Sequence, residues 1–420
     1  MAVFKKNFRI NPTLLLLINF GILITFIFAF NASLTMGQNL FPYRQGDKRG
    51  FCDSSKKIII TPKYQSAEIF STCNISTVKL NGKYGFINKA GQEKTKIIYD
   101  DWAFFWYPYT YVSLDNKFGV IDTNGRIIIP IVYDDILFTE RIIGVKLDTN
   151  WGLFDFNGRL IKEPMFQEVE TRSYLLTAVK QGGKWGFVDS IGEMKIKPLY
   201  DDMKGFSKKG YCAVGIDDKW GFINLKGELV IQPKYDEVKG FQDHGVWVNQ
   251  NSKWGLINKK NEIKIPFDFD RVSYFKEGLA YVKKDSKWGY IDTNGNTIIP
   301  FIYSQAYEFS EGLAEVCKSS DSCGYINKSG ETVIPFQFKI NYKGEFHEGL
   351  AEVNYEGYYG FINSKGEYIV PAKFDTPFAY DSFDNGIGTL LVPNKPEDMY
   401  LNYDLQQFYF DRHGTLFYED

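Results

Sequence analysis

The chain has 420 residues, of which 49 are Lys or Arg and 51 are Asp or Glu, so its formal net charge is −2. No basic excess exists to neutralise phosphates, which argues against a nucleic-acid partner and against a basic membrane-binding face. Aromatic residues make up 17% of the chain and Gly contributes 38 residues, a composition typical of β-strands joined by tight turns.

The N-terminal segment differs from everything after it. Three basic residues precede an apolar run over residues 14–30, and small and polar residues follow up to Gly37. This order is typical of a secretory signal peptide. Because the run is also just long enough to span a bilayer, an uncleaved signal anchor is the alternative, and only that alternative predicts membrane contact. We assign residues 1–37 to a signal peptide or signal anchor, and both predict an exported protein that is periplasmic, in the cell envelope or extracellular.

One short phrase then recurs about ten times: an aromatic residue, Gly, an apolar pair, Asn or Asp, two loose residues and a second Gly. The clearest Trp-Gly pairs are Trp151-Gly152, Trp185-Gly186, Trp220-Gly221, Trp254-Gly255 and Trp288-Gly289. The first Gly recurs with a period of about 34 residues, at Gly50, Gly85, Gly119, Gly152, Gly186, Gly221, Gly255, Gly289, Gly324 and Gly360. The period predicts an array over residues 38–392 in which each unit covers the aromatic residues of its neighbours.

The sequence of each unit predicts three or four short antiparallel strands. The Asn or Asp and the second Gly, as in Asp292 and Gly295, fit positions i and i+3 of a type I turn. An apolar run then reaches a Pro such as Pro300, where we expect the strand to stop or bend because Pro cannot donate a ladder hydrogen bond. A second aromatic column leads through a variable loop into the next strand.

The repeat number bears on the architecture. We expect an all-β array of about ten antiparallel β-meander repeats, and we favour an open, curved array because ten units exceed the usual four to eight propeller blades. A closed or tandem β-propeller is the alternative. After the array, Pro393 begins a segment that resembles a linker, so residues 393–420 are predicted to form a linker and a C-terminal capping hairpin.

Several columns at fixed offsets carry a family resemblance. Lys219–Asn224 reads Lys-Trp-Gly-Phe-Ile-Asn, 231–236 reads Ile-x-Pro-x-Tyr-Asp, and 275–282 reads Phe-x-x-Gly-Leu-Ala-x-Val. With these motifs the chain resembles the bacterial WG-repeat (KWG-type) proteins over roughly residues 44–392. It departs from their pattern where Trp is replaced by Tyr84, Phe118, Cys323 or Tyr359. The resemblance implies a β-rich array, often exported or in the cell envelope, with no established catalytic residues.

The chain has five cysteines: Cys52, Cys73, Cys212, Cys317 and Cys323. Export permits disulfides without requiring them. Cys317 ends one predicted strand and Cys323 begins the next across a short polar loop, a placement compatible with a cross-strand bridge. Cys52 and Cys73 lie in the first unit and could staple a cap. Cys212, in an apolar setting, is expected to be packed and unreactive.

Residues that could support catalysis or metal binding are scarce. The only histidines, His244, His347 and His413, fall in three different units, so they form no acid–base or metal constellation. Asp122 and Asp292 open oxygen-rich turns, but no carboxylate follows that could complete a calcium loop. We predict no catalytic, metal or cofactor site.

The repeated Trp and Tyr residues are the remaining candidate surface. Evenly spaced aromatic rings can stack on sugars, but large aromatic side chains more often pack contacts between repeats. Variable loops on a rigid frame are where recognition usually resides, and charge changes there, at Asp243 or Glu277, are expected to leave folding intact. We therefore predict a non-catalytic exported scaffold that presents loops to an unknown protein or envelope component. Carbohydrate or cell-wall binding through the repeated aromatics is the alternative.

Overall fold

A computed structural model describes residues 40–105, 107–171, 173–341, 344–374, 383–384, 387–393, 405–411 and 418–419. The segment assigned to a signal peptide or anchor, residues 1–37, and His413 lie outside these ranges, so those assignments stay predictions. Among the residues described, no helix has the length and apolarity needed to cross a bilayer.

All regular elements in the described ranges are β-strands. The strands of the first half are β1 (Phe41–Gln45), β2 (Lys48–Cys52), β3 (Ile58–Tyr64), β4 (Ser66–Ala67), β5 (Ile75–Leu80), β6 (Lys83–Asn88), β7 (Tyr109–Leu114), β8 (Lys117–Asp122), β9 (Ile127–Tyr133), β10 (Asp135–Phe138), β11 (Ile143–Leu147), β12 (Asn150–Phe154), β13 (Leu160–Phe166), β14 (Glu168–Glu170), β15 (Thr177–Gln181), β16 (Lys184–Val188), β17 (Met194–Tyr200), β18 (Asp202–Phe206), β19 (Tyr211–Ile216) and β20 (Lys219–Asn224).

The strands of the second half are β21 (Leu229–Tyr235), β22 (Glu237–Val238), β23 (Val246–Gln250), β24 (Lys253–Ile257), β25 (Ile263–Phe269), β26 (Arg271–Val272), β27 (Leu279–Lys284), β28 (Lys287–Asp292), β29 (Thr297–Tyr303), β30 (Gln305–Ala306), β31 (Leu313–Ser319), β32 (Ser322–Asn327), β33 (Thr332–Phe338), β34 (Leu350–Tyr355), β35 (Tyr358–Asn363), β36 (Tyr368–Phe374), β37 (Phe383–Asp384), β38 (Ile387–Pro393), β39 (Leu405–Asp411) and β40 (Tyr418–Glu419).

The chain divides into two compact units. The first comprises Met1–Leu114, Ile121–Arg126 and Phe417–Asp420, and the second comprises Asp115–Val120 and Ile127–Leu416. In the first unit, β3, β2, β1 and β40 form one sheet in that order, and β4, β5 and β6 form another. The strands β40 and β1 pair in parallel, whereas the other pairs are antiparallel.

The second unit consists of small antiparallel sheets of consecutive strands. They are β10–β13, β14–β17, β18–β21, β22–β25, β26–β29, β30–β33, β34–β36 and β37–β39. This order confirms the predicted all-β meander of short repeats. Because β38 ends at Pro393 and pairs with β39 along its whole length, the boundary that the sequence placed before residue 393 falls inside a sheet. Of the described residues after it, those of β39 pair with β38 and those of β40 pair with β1.

The strand after each turn does not stop at its Pro. Between β20 and β21, Trp220 faces Tyr235 and Phe222 faces Ile231, with a register shift between them that leaves Pro233 over Gly221. The missing Pro N–H therefore falls where the ladder is already interrupted. A Cβ on Gly221 would lie 2.5 Å from the Ile231 carbonyl oxygen and 2.6 Å from the Pro233 nitrogen, so this close crossing explains the invariant first Gly of the phrase.

The core lies between consecutive sheets, as the repeat period predicts. One buried cluster joins Phe187 and Ile196 of β16 and β17 to Phe206 and Val214 of β18 and β19. The next cluster repeats the arrangement one sheet later. In these described clusters each sheet shares its apolar face with the next, which is why the short repeat recurs.

Candidate functional site

The Trp side chains of the phrase lie mainly inside the core. Trp185, Trp254 and Trp288 expose 7%, 9% and 8% of their surface, and Trp151 and Trp220 are half-buried. Trp254, for example, packs in a cluster with residues of the following sheet such as Val272 and Val282. The column thus fills the contact between one sheet and the next.

A lysine ammonium covers each of these five rings. The pairs are Lys146 with Trp151, Lys180 with Trp185, Lys204 with Trp220, Lys239 with Trp254 and Lys283 with Trp288, with 4.9–5.9 Å from Nζ to the ring centroid. Such contacts stabilise the cation over the ring quadrupole. Burial lowers the pKa of the Lys239 ammonium, which also lies 5.1 Å from the Tyr274 ring. A sugar could stack on these faces only by displacing the lysines.

The Asx turns use their carboxylates internally. Asp292 Oδ1 accepts hydrogen bonds from the backbone N–H groups of Asn294 and Asn296, at 2.9 and 2.8 Å, and its Oδ2 accepts from the Asn296 side chain at 2.8 Å. Asp122 repeats this pattern with Asn124 and Arg126. These contacts fit the turn chemistry predicted for both residues and leave the carboxylates engaged.

A second repeated contact was not anticipated from the sequence. In five repeats, the Lys before the aromatic-Gly phrase pairs with the Asp that follows the aromatic anchor of the same repeat: Lys83–Asp100, Lys117–Asp134, Lys184–Asp201, Lys219–Asp236 and Lys253–Asp270. Hydrogen bonding from Lys219 lowers the pKa of Asp236, whose other oxygen accepts the Asn251 N–H at 2.9 Å. The two columns are visible in the sequence, and their constant spacing could have revealed the pair.

The turns that precede strands such as β27 and β31 are hydrogen-bonded from one repeat to the next. Glu277 has φ of 51° in a two-residue turn, and its carboxylate accepts the Gly312 N–H at 3.2 Å and pairs with Lys328 at 2.9 Å. Glu311 accepts the Gly349 N–H at 2.9 Å in the same way. Glu277 therefore links two repeats. The expectation that a charge change at Glu277 leaves folding intact did not take this contact into account. Asp243 remains exposed and pairs with Lys209.

The cysteines follow strand register. Cys317 and Cys323 face each other across β31 and β32 and form a disulfide. The bridge considered between Cys52 and Cys73 is wrong, because both are free thiols. Cys52 lies in β2 opposite Phe41 and Ile58, so its neighbours come from β1 and β3. Cys212 is fully buried, and burial raises its pKa to about 12, as expected of an unreactive thiol.

A buried acid lies beside the disulfide. Glu315 faces Tyr325 across the hairpin, and burial raises the pKa of Glu315 to about 8. Within the described ranges, Glu315 Oε2 and the Tyr325 hydroxyl have no hydrogen-bond partner. The Glu315 carboxylate lies within 4.8 Å of both disulfide sulfurs, but those sulfurs are bonded to each other, and a Cβ on Gly344 would lie 2.3 Å from Oε2. Because the sulfurs are bonded to each other, they are not available as thiolate ligands.

The histidines are dispersed. His244 and His347 are exposed in separate loops of the second unit, and neither belongs to a cluster of metal-ligating residues in the part of the chain described.

A cationic concavity lies where three loops of the second unit meet, and we call it the lysine groove. It has a volume of about 530 Å³ and is lined by Lys209, Tyr211, Phe241, Gln242, Asp243, His244, Gly245, Asn258, Lys259, Lys260, Glu262 and Lys264. Four lysines thus face two carboxylates. Its floor is aromatic, because the half-buried rings of Tyr211 and Phe241 lie 4.7 Å apart.

The turn at the rim of the lysine groove departs from its siblings. Where other repeats have Gly, this one has Asn261, which keeps a left-handed φ of 66°. The Tyr235 hydroxyl at the end of β21, in the preceding sheet, donates to Asn261 Oδ1 at 2.6 Å. The two preceding residues, Lys259 and Lys260, are exposed. This Lys-Lys-Asn departure is the sequence feature that could have identified the groove.

A second cleft, of about 580 Å³, lies beside Trp254 and contains Asp236, Asn249, Asp270 and Arg271 in its lining. Both aspartates are already paired with lysines, and little of the indole is accessible. Its polar groups are therefore largely committed to the frame.

Comparison with known proteins identifies the repeat. The family model described as "WG containing repeat" matches nine times, at residues 50–84, 118–148, 151–185, 185–220, 220–254, 254–288, 288–320, 324–359 and 359–388. No curated protein matches the chain significantly.

Solved structures show only distant likeness. A crystal structure described as "the eukaryotic initiation factor" is 12% identical, with a TM-score of 0.41 over 72% of this chain and 96% of that chain. BamB from Moraxella catarrhalis is 9% identical, with a TM-score of 0.28 over 79% of this chain and 92% of that chain. Neither likeness is close enough to carry a functional argument. The family matches cover most of the chain and coincide with its Trp-Gly strands, so the chain belongs to the WG-repeat family.

Proposed function

We propose that this chain is a non-catalytic, exported repeat scaffold whose loops bind a protein or another component of the cell envelope. One observation carries the proposal: the residues that recur in every repeat are engaged in building it. The Trp rings are packed and covered by lysines, and the turn carboxylates bond their own backbone. The side chains left to contact a partner are those that differ between loops.

Export rests on the order of residues in the N-terminal segment. Fractionation and N-terminal sequencing of the native protein test it, with a mature start near Gln38 expected. Intact Met1 in a soluble cytoplasmic fraction would contradict it. The open form of the array likewise stays a prediction from repeat number, and small-angle scattering tests it through the maximum dimension in solution.

Carbohydrate binding through the repeated aromatics is the weaker candidate. It needs open ring faces, whereas Trp185 and Trp288 are buried and carry Lys180 and Lys283 above their rings. A glycan array probed with the full chain distinguishes the candidates. We expect no glycan signal that Trp220→Ala removes.

Capture experiments from envelope extract test the scaffold itself. Loop substitutions such as His244→Ala should weaken capture of a specific component while thermal stability stays unchanged, because His244 is exposed. Capture that is insensitive to every loop substitution but lost when exposed Trp or Tyr rings are removed would contradict the proposal.

A further inference from the structure

We propose that the lysine groove binds a short acidic peptide segment of a protein partner, with Lys259 and Lys260 holding its carboxylates. The inference rests on the proposed scaffold function and deepens it, because it names the chemistry that one loop cluster recognises. The groove lies on loops of consecutive repeats, where partner contact is expected.

The lysine groove has more lysines than carboxylates, and both carboxylates already have partners within the chain. Asp243 pairs with Lys209, and Glu262 Oε2 accepts from Asn258 Nδ2 at 2.7 Å. Both carboxylates are thus engaged at the groove wall. Lys264 Nζ donates to the His244 carbonyl at 3.2 Å.

Lys259 and Lys260 are different, because neither has an ion-pair partner within the described part of the chain. Two adjacent free ammonium groups beside an aromatic floor form a site that attracts carboxylates and accepts apolar side-chain atoms.

The backbone that carries these lysines is held in place before any ligand arrives. Asn258 Oδ1 accepts the N–H groups of Lys260 and Glu262, at 2.9 and 3.0 Å. Tyr235 fixes Asn261 from the preceding sheet. A turn anchored at both ends loses little entropy on binding, so more of the ion-pair energy appears as affinity.

Net charge favours a short segment over a long polyanion. Removal of residues 1–37 takes away three basic and no acidic side chains, which shifts the formal charge from −2 to −5. A long anionic polymer would leave the groove and meet a surface of its own sign. A cavity of about 530 Å³ limits the occupant to a few residues.

The test measures fluorescence anisotropy of a labelled pentaglutamate peptide with the full chain at low salt. We expect saturable binding that weakens as salt rises, because exposed ion pairs are screened. Substituting Lys259→Glu together with Lys260→Glu should weaken binding by about tenfold or more. The matched control is Lys365→Glu, since Lys365 occupies the same turn position in another repeat and its N–H bonds Asn363 in the same way at 3.0 Å. We expect the control to bind within about twofold of the unmodified chain, and all variants to keep their melting temperature.

Several results would overturn the inference. They are absence of pentaglutamate binding, equal binding by the double variant, or equal loss in the Lys365→Glu control. Tetragalacturonate binding tighter than the peptide, with the same lysine dependence, would replace the peptide with an acidic sugar. Displacement by millimolar inorganic phosphate would reduce the groove to a small-anion site.

The outcome is separable from that of the scaffold proposal. If the double variant still captures the envelope partner as well as the unmodified chain, the groove inference is wrong and the scaffold stands. If no loop variant alters capture, the scaffold proposal itself is wrong.

Discussion

Trp254→Ala should destabilise the protein at the boundary between two repeats. The indole exposes 9% of its surface and packs against Phe269 of its own sheet and Val272 and Val282 of the next. Truncating a buried Trp to Ala costs about 3–5 kcal/mol through lost transfer free energy and the cavity left behind. The change also removes the ring beneath Lys239, which is worth about 0.5–1 kcal/mol.

The assay is hydrogen exchange measured along the full chain, together with denaturant unfolding. Coupling between repeats runs through nearest neighbours, so protection should fall first in β23–β25 and β26–β28 and persist in distant sheets. The matched control is Trp102→Ala, because Trp102 is 44% exposed. We expect it to cost less than about 1 kcal/mol. Equal stability of Trp254→Ala and the unmodified chain, with unchanged protection on both sides of the boundary, would refute the packing argument.

Three further predictions follow from other parts of the frame. Cys317 and Cys323 should be recovered as one peptide pair in a non-reduced digest, and breaking the bridge should cost at most about 2–3 kcal/mol because the loop is short. Free alkylation of both thiols in native protein would contradict this prediction. Gly221→Ala should destabilise the protein by about 1–3 kcal/mol because its Cβ would meet the Ile231 and Pro233 backbone. The control Gly240→Ala should be tolerated, because its Cβ would meet only the Tyr274 hydroxyl at 3.6 Å. Equal melting temperatures of the two variants would contradict the close crossing at Gly221. The folded state keeps a proton on Glu315 up to about pH 8, whereas the unfolded state releases it near pH 4.5, so the free energy of unfolding should fall by up to about 1.4 kcal/mol per pH unit as pH rises through that window. Glu315→Gln should flatten this pH dependence in urea titrations at several pH values. Identical slopes for the two proteins would refute the prediction.

The repeat frame was largely predictable because its residues recur. The period of the Trp-Gly phrase set the size of the unit, and the Asx turn at Asp292 followed from local chemistry alone. Strand identity at β16 and β20 followed in the same way. Local rules suffice where the interactions are local or repeated.

Contacts between repeats were harder to predict, because they join residues about 34 positions apart and the residue types do not reveal which ones pair. Glu277 reads as a solvent-exposed loop acid, yet it accepts a backbone N–H from the next repeat. The strand that contains Pro233 was expected to stop or bend, and it continues to Tyr235 through a register shift over Gly221. At the chain end, β40 pairs with the first sheet, a partnership that no local pattern indicates.

The site was only partly predictable. The loops were expected to carry recognition, but which loops converge depends on how consecutive sheets bring Lys209, Phe241 and Lys259 together. The cation over the Trp of each Trp-Gly pair also escaped prediction, because Lys204 and Lys239 occupy a different position in the repeat from Lys180 and Lys283. The loops that form the lysine groove were therefore identified from the structure and not from the sequence.

Hydroxyl-radical footprinting of the full chain, with and without the pentaglutamate peptide, tests the central claim most directly. If the repeated aromatics are frame and the loops are site, Trp185, Trp254 and Trp288 should be unreactive in both states while exposed Trp102 is modified in both. The peptide should then protect side chains of the lysine groove such as Phe241 and His244. Strong modification of Trp185, Trp254 and Trp288 in the free chain, lost when the peptide is bound, would make the repeated aromatics the binding surface and contradict the account.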